Sequence, residues 1–295
     1  MLPYSETPVQ LIQSDFLAKA RIKLLVKRED LNHPFVGGNK WWKLKYNLEE
    51  ARRTGCQVLL TFGGAYSNHI SATAAAARAC GFESIGIIRG EERLPLNSTL
   101  AFATRQGMQL HYVSREAYRE KAEPEFIEDL KKKFGDFYLI PEGGTNAWAI
   151  KGCAEWAQQL QEIKFDYLCL PVGTGGTIAG LVSGLDGRNV IGFAALKNAD
   201  FLSDEVRSLV LDYTGKEFPN WRIETQYHFG GYAKSNRELQ DFIQFFEHDH
   251  GIALDQVYTG KMMFGILDGI RQNKFERDTT ILALHTGGLK GRYHG

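Results

Sequence analysis

From residue 57 onward, short apolar runs alternate with helix-forming segments, and this alternation restricts the fold more than any other feature of the sequence. The runs at 57–62, 84–88, 108–113, 137–140, 167–170, 190–195 and 279–284 are short and apolar, which marks them as buried strands. Between them, helices are predicted at 70–80, 97–106, 123–134, 147–163, 178–185, 202–211, 236–250 and 262–272. Glycine closes several of these, for instance Gly81 after the alanine-rich 70–80 segment and Gly107 after 97–106. Strands without polar alternation need cover on both faces, so the expected fold is α/β with parallel sheets between helices. Upstream, residues 1–36 read as irregular apart from one strand at 22–27, and a helix over 41–53 ends before Gly55. The stretch 212–234 also reads as irregular.

In open parallel sheets, ligands bind beyond the carboxyl ends of the strands. Glycine-bearing loops hold that position at 63–69, 141–146, 171–177 and 285–288. Gly173-Thr174-Gly175-Gly176-Thr177 joins an apolar strand to a helix, a pattern that brings backbone N–H groups and hydroxyls to a phosphate. It is not a dinucleotide fingerprint, because Ile178 stands where a small residue is required and the next strand ends without an acid. No Gly-Lys-Ser/Thr follows, which excludes a Walker loop. A single phosphomonoester suits it better; a plain strand-to-helix turn is the alternative. Ser67-Asn68-His69 can cap the alanine-rich helix or present polar groups to a ligand. Earlier, Gly37-Gly38-Asn39-Lys40-Trp41-Trp42-Lys43-Leu44 sets lysines three residues apart at a helix start. Such a lysine is a phosphate contact, a nucleophilic amine if desolvated, or part of a solvated basic helix.

Composition narrows the partners. With 35 basic and 35 acidic residues the formal charge is zero, so nothing suggests a nucleic-acid or anionic-membrane surface. No apolar run is long enough to span a bilayer, and no basic-then-apolar signal opens the sequence. Cys56, Cys80, Cys153 and Cys169 are scattered without metal-ligand spacing. No metal is expected, buried free thiols are expected for the cysteines within helices or strands, and a cytoplasmic location is the simplest reading.

Taken together, these motifs resemble the pyridoxal-phosphate enzymes of the tryptophan-synthase-β fold, also called fold type II. More narrowly they resemble the aminocyclopropane-carboxylate deaminase/D-cysteine desulfhydrase group. The resemblance covers nearly the whole chain and rests on Gly37 through Leu44, Gly63 through His69, Gly173 through Thr177, Tyr258-Thr259-Gly260-Lys261 and His285-Thr286-Gly287-Gly288. It implies pyridoxal 5'-phosphate as cofactor, with Lys40 bonded to it covalently and later moving a proton at the substrate α-carbon. Lys43 would meet the phosphate together with Gly173, Thr174, Gly175, Gly176 and Thr177. Asn68 would hydrogen-bond the cofactor's phenolic oxygen, Tyr258 would stack on its ring, and Thr286 would contact it. Ser67, Asn68 and His69 would face the substrate, and Ser67, Tyr232 and Tyr258 would join Lys40 as catalytic residues.

The resemblance also implies two open parallel-sheet domains: a large one from residues 1–42 and 147–295, and a small one from 43–146. A homodimer acting on a small amino acid is expected on the same ground. The cyclopropane deaminases carry a glutamate after the stacking tyrosine and a leucine after the late histidine. Here Thr259 and Thr286 stand instead, as in the D-cysteine desulfhydrases. A threonine offers only a neutral hydrogen bond near the ring, which favours β-elimination giving sulfide, ammonia and pyruvate over cyclopropane opening. A non-catalytic α/β protein that binds a phosphorylated metabolite is the alternative of another class. Trp41-Trp42 beside Lys40 departs from many relatives and makes the substrate range an open question.

Overall fold

A computed structural model describes residues 2–289 of the chain. In order, its regular elements begin with β1 (Val9–Ile12), α1 (Asp15–Ala20), β2 (Ile22–Lys27) and α2 (Asn39–Arg53). There follow β3 (Val58–Gly63), α3 (Asn68–Cys80), β4 (Glu83–Arg89), α4 (Ser98–Arg105), β5 (Met108–Val113), α5 (Pro124–Phe134) and β6 (Tyr138–Ile140). The chain continues with α6 (Ala147–Leu160), β7 (Tyr167–Val172), α7 (Gly176–Gly184), β8 (Asn189–Ala194), α8 (Phe201–Thr214) and β9 (Trp221–Glu224). Last come α9 (Arg237–His250), α10 (Thr259–Arg271) and β10 (Thr279–Leu284).

The strands form two sheets. One has the order β1-β2-β10-β7-β8-β9 and the other β5-β4-β3-β6. Every pairing is parallel except β1 with β2 at one edge. The α/β class and parallel sheets are therefore as the apolar runs imply. In each sheet the strand order reverses once: between β7 and β10 in the larger, and between β3 and β6 in the smaller. Crevices at such reversals are where α/β sheets bind ligands. The glycine loops predicted from the sequence follow these strands, β3, β6, β7 and β10.

Three regular elements were absent from the sequence reading. β1 has four residues, and only Ile12 in it is buried, so it shows no apolar run. α1 is too short for helical periodicity; Ser14 starts it by accepting from the Leu17 N–H at 3.2 Å. β9, in the stretch read as irregular, is an edge strand with no fully buried residue. Helix starts moved as well. α2 opens at Asn39, α7 at Gly176 and α10 at Thr259, each earlier than expected, because caps and glycine turns supply first-turn residues without apolar signal.

The main apolar core joins α2, α6 and α7 to the larger sheet, with Trp42, Trp156 and Leu170 among its buried members. Close helix approach depends on small residues. A Cβ at Gly180 of α7 would come 2.7 Å from the Ile150 carbonyl oxygen of α6, so this position cannot carry a side chain without parting the helices. Of the cysteines, Cys153 and Cys169 are buried free thiols, while Cys56 and Cys80 are half-buried.

Candidate active site

A cavity of about 450 Å³ lies where the loops of both sheets meet. It is lined by Lys40, Lys43, Ser67, Asn68, His69, Gly173, Thr174, Gly175, Thr177, Tyr232, Tyr258 and Thr286. All these positions were picked out from the sequence. Gly176 sits just behind the lining, where an added Cβ would meet Thr145 Oγ1 at 2.7 Å and Lys43 Nζ at 3.1 Å.

The start of α2 is fixed by contact with the loop after β10. Gly38 has φ 73°, and a Cβ there would overlap the Thr286 carbonyl; the Asn39 N–H donates to that same carbonyl at 3.3 Å. The following turn carries Lys40 and Lys43 into the cavity. Lys40 Nζ donates to Asn39 Oδ1 at 3.1 Å, and Lys43 Nζ to Thr145 Oγ1 at 2.9 Å. Neither has a carboxylate partner among the described residues. Burial lowers Lys40 from its ordinary value to about 8. Burial and then the neighbouring Lys40 charge lower Lys43 to about 7. Both amines are thus held nearer their neutral forms than a solvated lysine, and an anion bound beside them would favour their charged forms.

The loop between β7 and α7 faces them. Gly175 takes the left-handed conformation (φ 76°), which turns the chain into α7. Thr174 Oγ1 lies 2.7 Å from Thr145 Oγ1, and Thr177 Oγ1 accepts from Asn39 Nδ2 at 2.9 Å. Side-chain bulk is absent at Gly173 and Gly176, the N-terminus of α7 points inward, and the Lys43 ammonium closes the ring. Backbone N–H groups, hydroxyls and an amine thus converge on one end of the cavity, an arrangement chemically suited to an anion.

On the opposite sheet, Ser67 caps α3 by accepting from the Ile70 N–H at 3.4 Å, and presents Asn68 and His69 to the cavity. His69 Nε2 lies 2.8 Å from Thr61 Oγ1, whose single hydrogen goes to the Ile140 carbonyl at 2.8 Å. Thr61 therefore accepts, His69 carries its hydrogen on Nε2, and Nδ1 is left as a buried acceptor without a protein partner. Burial, then Lys40 and Lys43, hold the imidazole well below its usual value, so it is neutral. Tyr232 and Tyr258 face each other with ring centroids 6.1 Å apart, and burial raises both phenols, keeping them protonated.

Thr259, expected near the cofactor ring, does not line the cavity. Its hydroxyl donates to Asp255 Oδ2 at 2.7 Å and accepts the Asp255 N–H at 2.9 Å. Asp255 also accepts the N–H groups of Val257, Tyr258 and Thr259, so its carboxylate is saturated by the start of α10. Sequence reasoning missed several lining residues: Asp30, Arg89, Glu142 and Phe35. Phe35 and Arg89 meet the rings of Phe102 and Tyr118 on other elements, so no local motif marks them, whereas Asp30 pairs with nearby Arg28 and Glu142 stands in the 141–146 loop already singled out. Thr145 could have been found, since it follows Gly143-Gly144 in a loop already singled out.

The tryptophans of α2 turn away from the cavity. Trp42 Nε1 donates to Glu29 Oε2 at 3.0 Å and its ring stacks on Trp156 (centroids 5.8 Å apart, 3° between planes). Trp41 Nε1 donates to the Pro3 carbonyl at 2.9 Å, and Tyr4 packs on both rings. Glu29 is fully buried and also accepts from Thr7 Oγ1 at 2.7 Å, Asn32 Nδ2 at 2.9 Å and Tyr4 Oη at 3.3 Å. The question that this pair raised about the substrate range is met by its placement: neither indole lines the cavity, and the two form a core and anchor for the N-terminal segment.

Comparison with known proteins follows the same lines. The family described as pyridoxal-phosphate dependent enzyme matches residues 2–287. A protein of Pyrococcus horikoshii named putative 1-aminocyclopropane-1-carboxylate deaminase is 32% identical over 312 residues, covering 100% of this chain and 92% of its own. An Arabidopsis thaliana mitochondrial protein, named bifunctional D-cysteine desulfhydrase/1-aminocyclopropane-1-carboxylate deaminase, is 31% identical over 299 residues, covering 92% of this chain and 73% of its own. Among solved structures, one described as an ACC deaminase homologue superimposes with a TM-score of 0.85 at 30% identity, covering 99% of this chain and 92% of that one.

Proposed function

The chain belongs to the pyridoxal-phosphate dependent enzyme family, and from that premise we propose that it is a lyase for D-cysteine or a closely related β-substituted amino acid. The reaction takes one water and releases sulfide, ammonia and pyruvate. The cavity fits the cofactor on its own geometry. Gly173 through Thr177, Thr145 and Lys43 would hold the phosphate, Lys40 would carry the covalent link, and Asn68 and Tyr258 would flank the ring. When bound, pyridoxal phosphate supplies an electron sink for charge at the substrate α-carbon, and a free carboxylate beside its ring nitrogen would deepen that sink.

The observation that carries the choice of reaction is the pairing of the acids. Asp30 accepts from Arg28 at 2.8 Å, and Glu142 pairs with Lys121 at 3.4 Å. Asp255 is saturated as described, which leaves the Thr286 hydroxyl as the neutral group on that side of the cavity. This supports a chemistry that asks little of the sink: loss of an α-proton and of a good β-leaving group. Lys40, lowered toward neutrality by burial, takes the α-proton. Ser67 and the N-terminus of α3 hold the substrate carboxylate. The protonated Tyr232 and Tyr258 stand as hydrogen donors where the leaving group departs. Incubation with D-cysteine, L-cysteine, β-chloroalanine, serine and 1-aminocyclopropane-1-carboxylate tests the proposal. Sulfide and pyruvate from D-cysteine are expected. Faster 2-oxobutanoate formation from the cyclopropane acid would overturn it in favour of the activity named for the Pyrococcus relative.

Our reading of the architecture keeps a small domain at 43–146 and a large one from 1–42 and 147–295. The four strands of the smaller sheet falling between 58 and 140 support this division. No helix among the described residues is long and apolar enough to cross a membrane. A homodimer in the cytoplasm remains part of the proposal.

A further inference from the structure

Lys261 lies outside the cavity and has no part in the chemistry above, yet it is 1% exposed and forms no ion pair among the described residues. A buried ammonium without a carboxylate is costly unless carbonyl oxygens replace its water. Here two do: Nζ donates to the Gly231 carbonyl at 2.8 Å and to the Ala195 carbonyl at 3.3 Å. Each contact borders a cavity-lining residue. Gly231 precedes Tyr232, Ala195 precedes Leu196, and Lys261 itself sits one helical turn beyond Tyr258.

The loop that presents Tyr232 lacks regular backbone pairing, and its other contacts include the Phe229 ring against Phe264 and the Gly230 N–H donating to His228 Nδ1 at 3.0 Å. Phe229, Gly230, Gly231 and Ala233 all have positive φ (49°, 93°, 116° and 55°), so the segment is neither helix nor strand. Its internal backbone bonds are short-range, from the Gly231 N–H to the His228 carbonyl at 3.0 Å and from the Lys234 N–H to the Gly231 carbonyl at 3.1 Å. Two non-glycine residues in the left-handed region persist only where surrounding contacts over-determine them. From the helix behind it, Phe264 packs edge-on against Phe229 (ring centroids 5.0 Å apart), and the Lys261 ammonium supplies the polar tie, at the Gly231 carbonyl next to Tyr232.

We propose that Lys261 is a positioning residue for the cavity tyrosines, its ammonium tying the loop of Tyr232 to α10 and to the end of β8 so that Tyr232 meets Tyr258. This rests on the reading that Tyr232 works in the reaction. The test is a double-mutant cycle on holoenzyme: Lys261→Met, Tyr232→Phe and both together, with kcat and KM measured on whichever panel substrate the wild type turns over. Loss of a positioned acid–base group costs about 10²-fold or more, and Lys261→Met is expected to lower kcat by about ten-fold with little change in KM. In the double variant the losses should not multiply: it should lie within about three-fold of Tyr232→Phe alone, since a displaced tyrosine has nothing further to lose. The visible absorbance of the bound cofactor should be the same in all the proteins. Multiplying losses, or wild-type kcat in Lys261→Met, would overturn the inference. A fully active Tyr232→Phe with unchanged cofactor absorbance would overturn both the inference and the role given to Tyr232. If Lys261→Met does not fold, Lys261→Gln, which can still reach one carbonyl, takes its place: a smaller loss of kcat is expected, non-multiplying with Tyr232→Phe, and multiplying losses would overturn the inference.

Discussion

The first turns of α2 place Lys40 and Lys43 on one face and Trp41 and Trp42 on the other, and the two faces have opposite energetics. Residues three apart share a side of a helix, so the lysines point together into the cavity while the indoles point together at the N-terminal segment. On the tryptophan face the polar groups of α2 are matched: the indole N–H groups of Trp42 and Trp41 go to Glu29 and Pro3, and Glu29 has further donors in Thr7, Asn32 and Tyr4. On the lysine face neither ammonium has a carboxylate, and the charges repel each other. One face stabilises the fold; the other is held at a cost that a bound anion would offset. Unmatched charge concentrated on one side of an otherwise well-packed helix is what a preorganised site requires.

The sharpest way to break this contrast is Lys40→Ala. Turnover should fall by about 10³-fold or more, since the proton-moving amine is gone, while the unfolding midpoint changes little; pyruvate release and thermal melting measure the two. Trp42→Ala should do the reverse. Replacing a buried tryptophan by alanine costs about 3–5 kcal/mol, seen in denaturant unfolding, whereas KM should stay within about three-fold of wild type. A large KM change with little lost stability would return the tryptophans to the substrate site.

Lys43→Met sharpens the contrast from the other direction. Losing a charge-assisted contact worth about 1.5–3 kcal/mol should weaken cofactor affinity by roughly ten-fold to a hundred-fold, measured by equilibrium titration. In cofactor-free protein the same change should stabilise. The folded-state values of Lys43 and Lys40, about 7 and about 8, lie below the ordinary lysine value of 10.5, so the unfolded chain binds more protons between them. Stability of the cofactor-free protein should therefore rise with pH from about 7 to about 10.5, and Lys43→Met should flatten the rise. Smallest is Thr61→Val, which frees His69 from its fixed tautomer; kcat should fall a few-fold, roughly the effect of one lost neutral hydrogen bond, and Thr61→Ser should restore it.

The lysine face was legible in the sequence and the tryptophan face was not, and the reason is physical. Glycine loops that follow apolar strands announce a ligand crevice, because turn chemistry and strand ends are local; Ser67 through His69 and Gly173 through Thr177 stand in such loops, whereas Lys40 and Lys43 stand out as a lysine pair at a glycine-led helix start and take their separate roles from the family resemblance. The role of Trp42 depends on Glu29, which reads in sequence as one more charge after β2. Thr61 depends on the Ile140 carbonyl across a β3–β6 pairing, and Lys261 on carbonyls 30 and 66 residues away. Short edge elements such as β1 and β9 carry too few buried residues to show a period.

We propose separate tasks for Lys40 and Lys43, three residues apart and both desolvated: covalent for the first and electrostatic for the second. Reduction of the cofactor-loaded protein with borohydride, followed by proteolysis and fragment sequencing by mass, tests this division directly. A pyridoxyl group is expected on Lys40, absent from Lys40→Ala and retained by Lys43→Met protein loaded at saturating cofactor. A pyridoxyl group on Lys43 or Lys261, or none on any lysine, would contradict it.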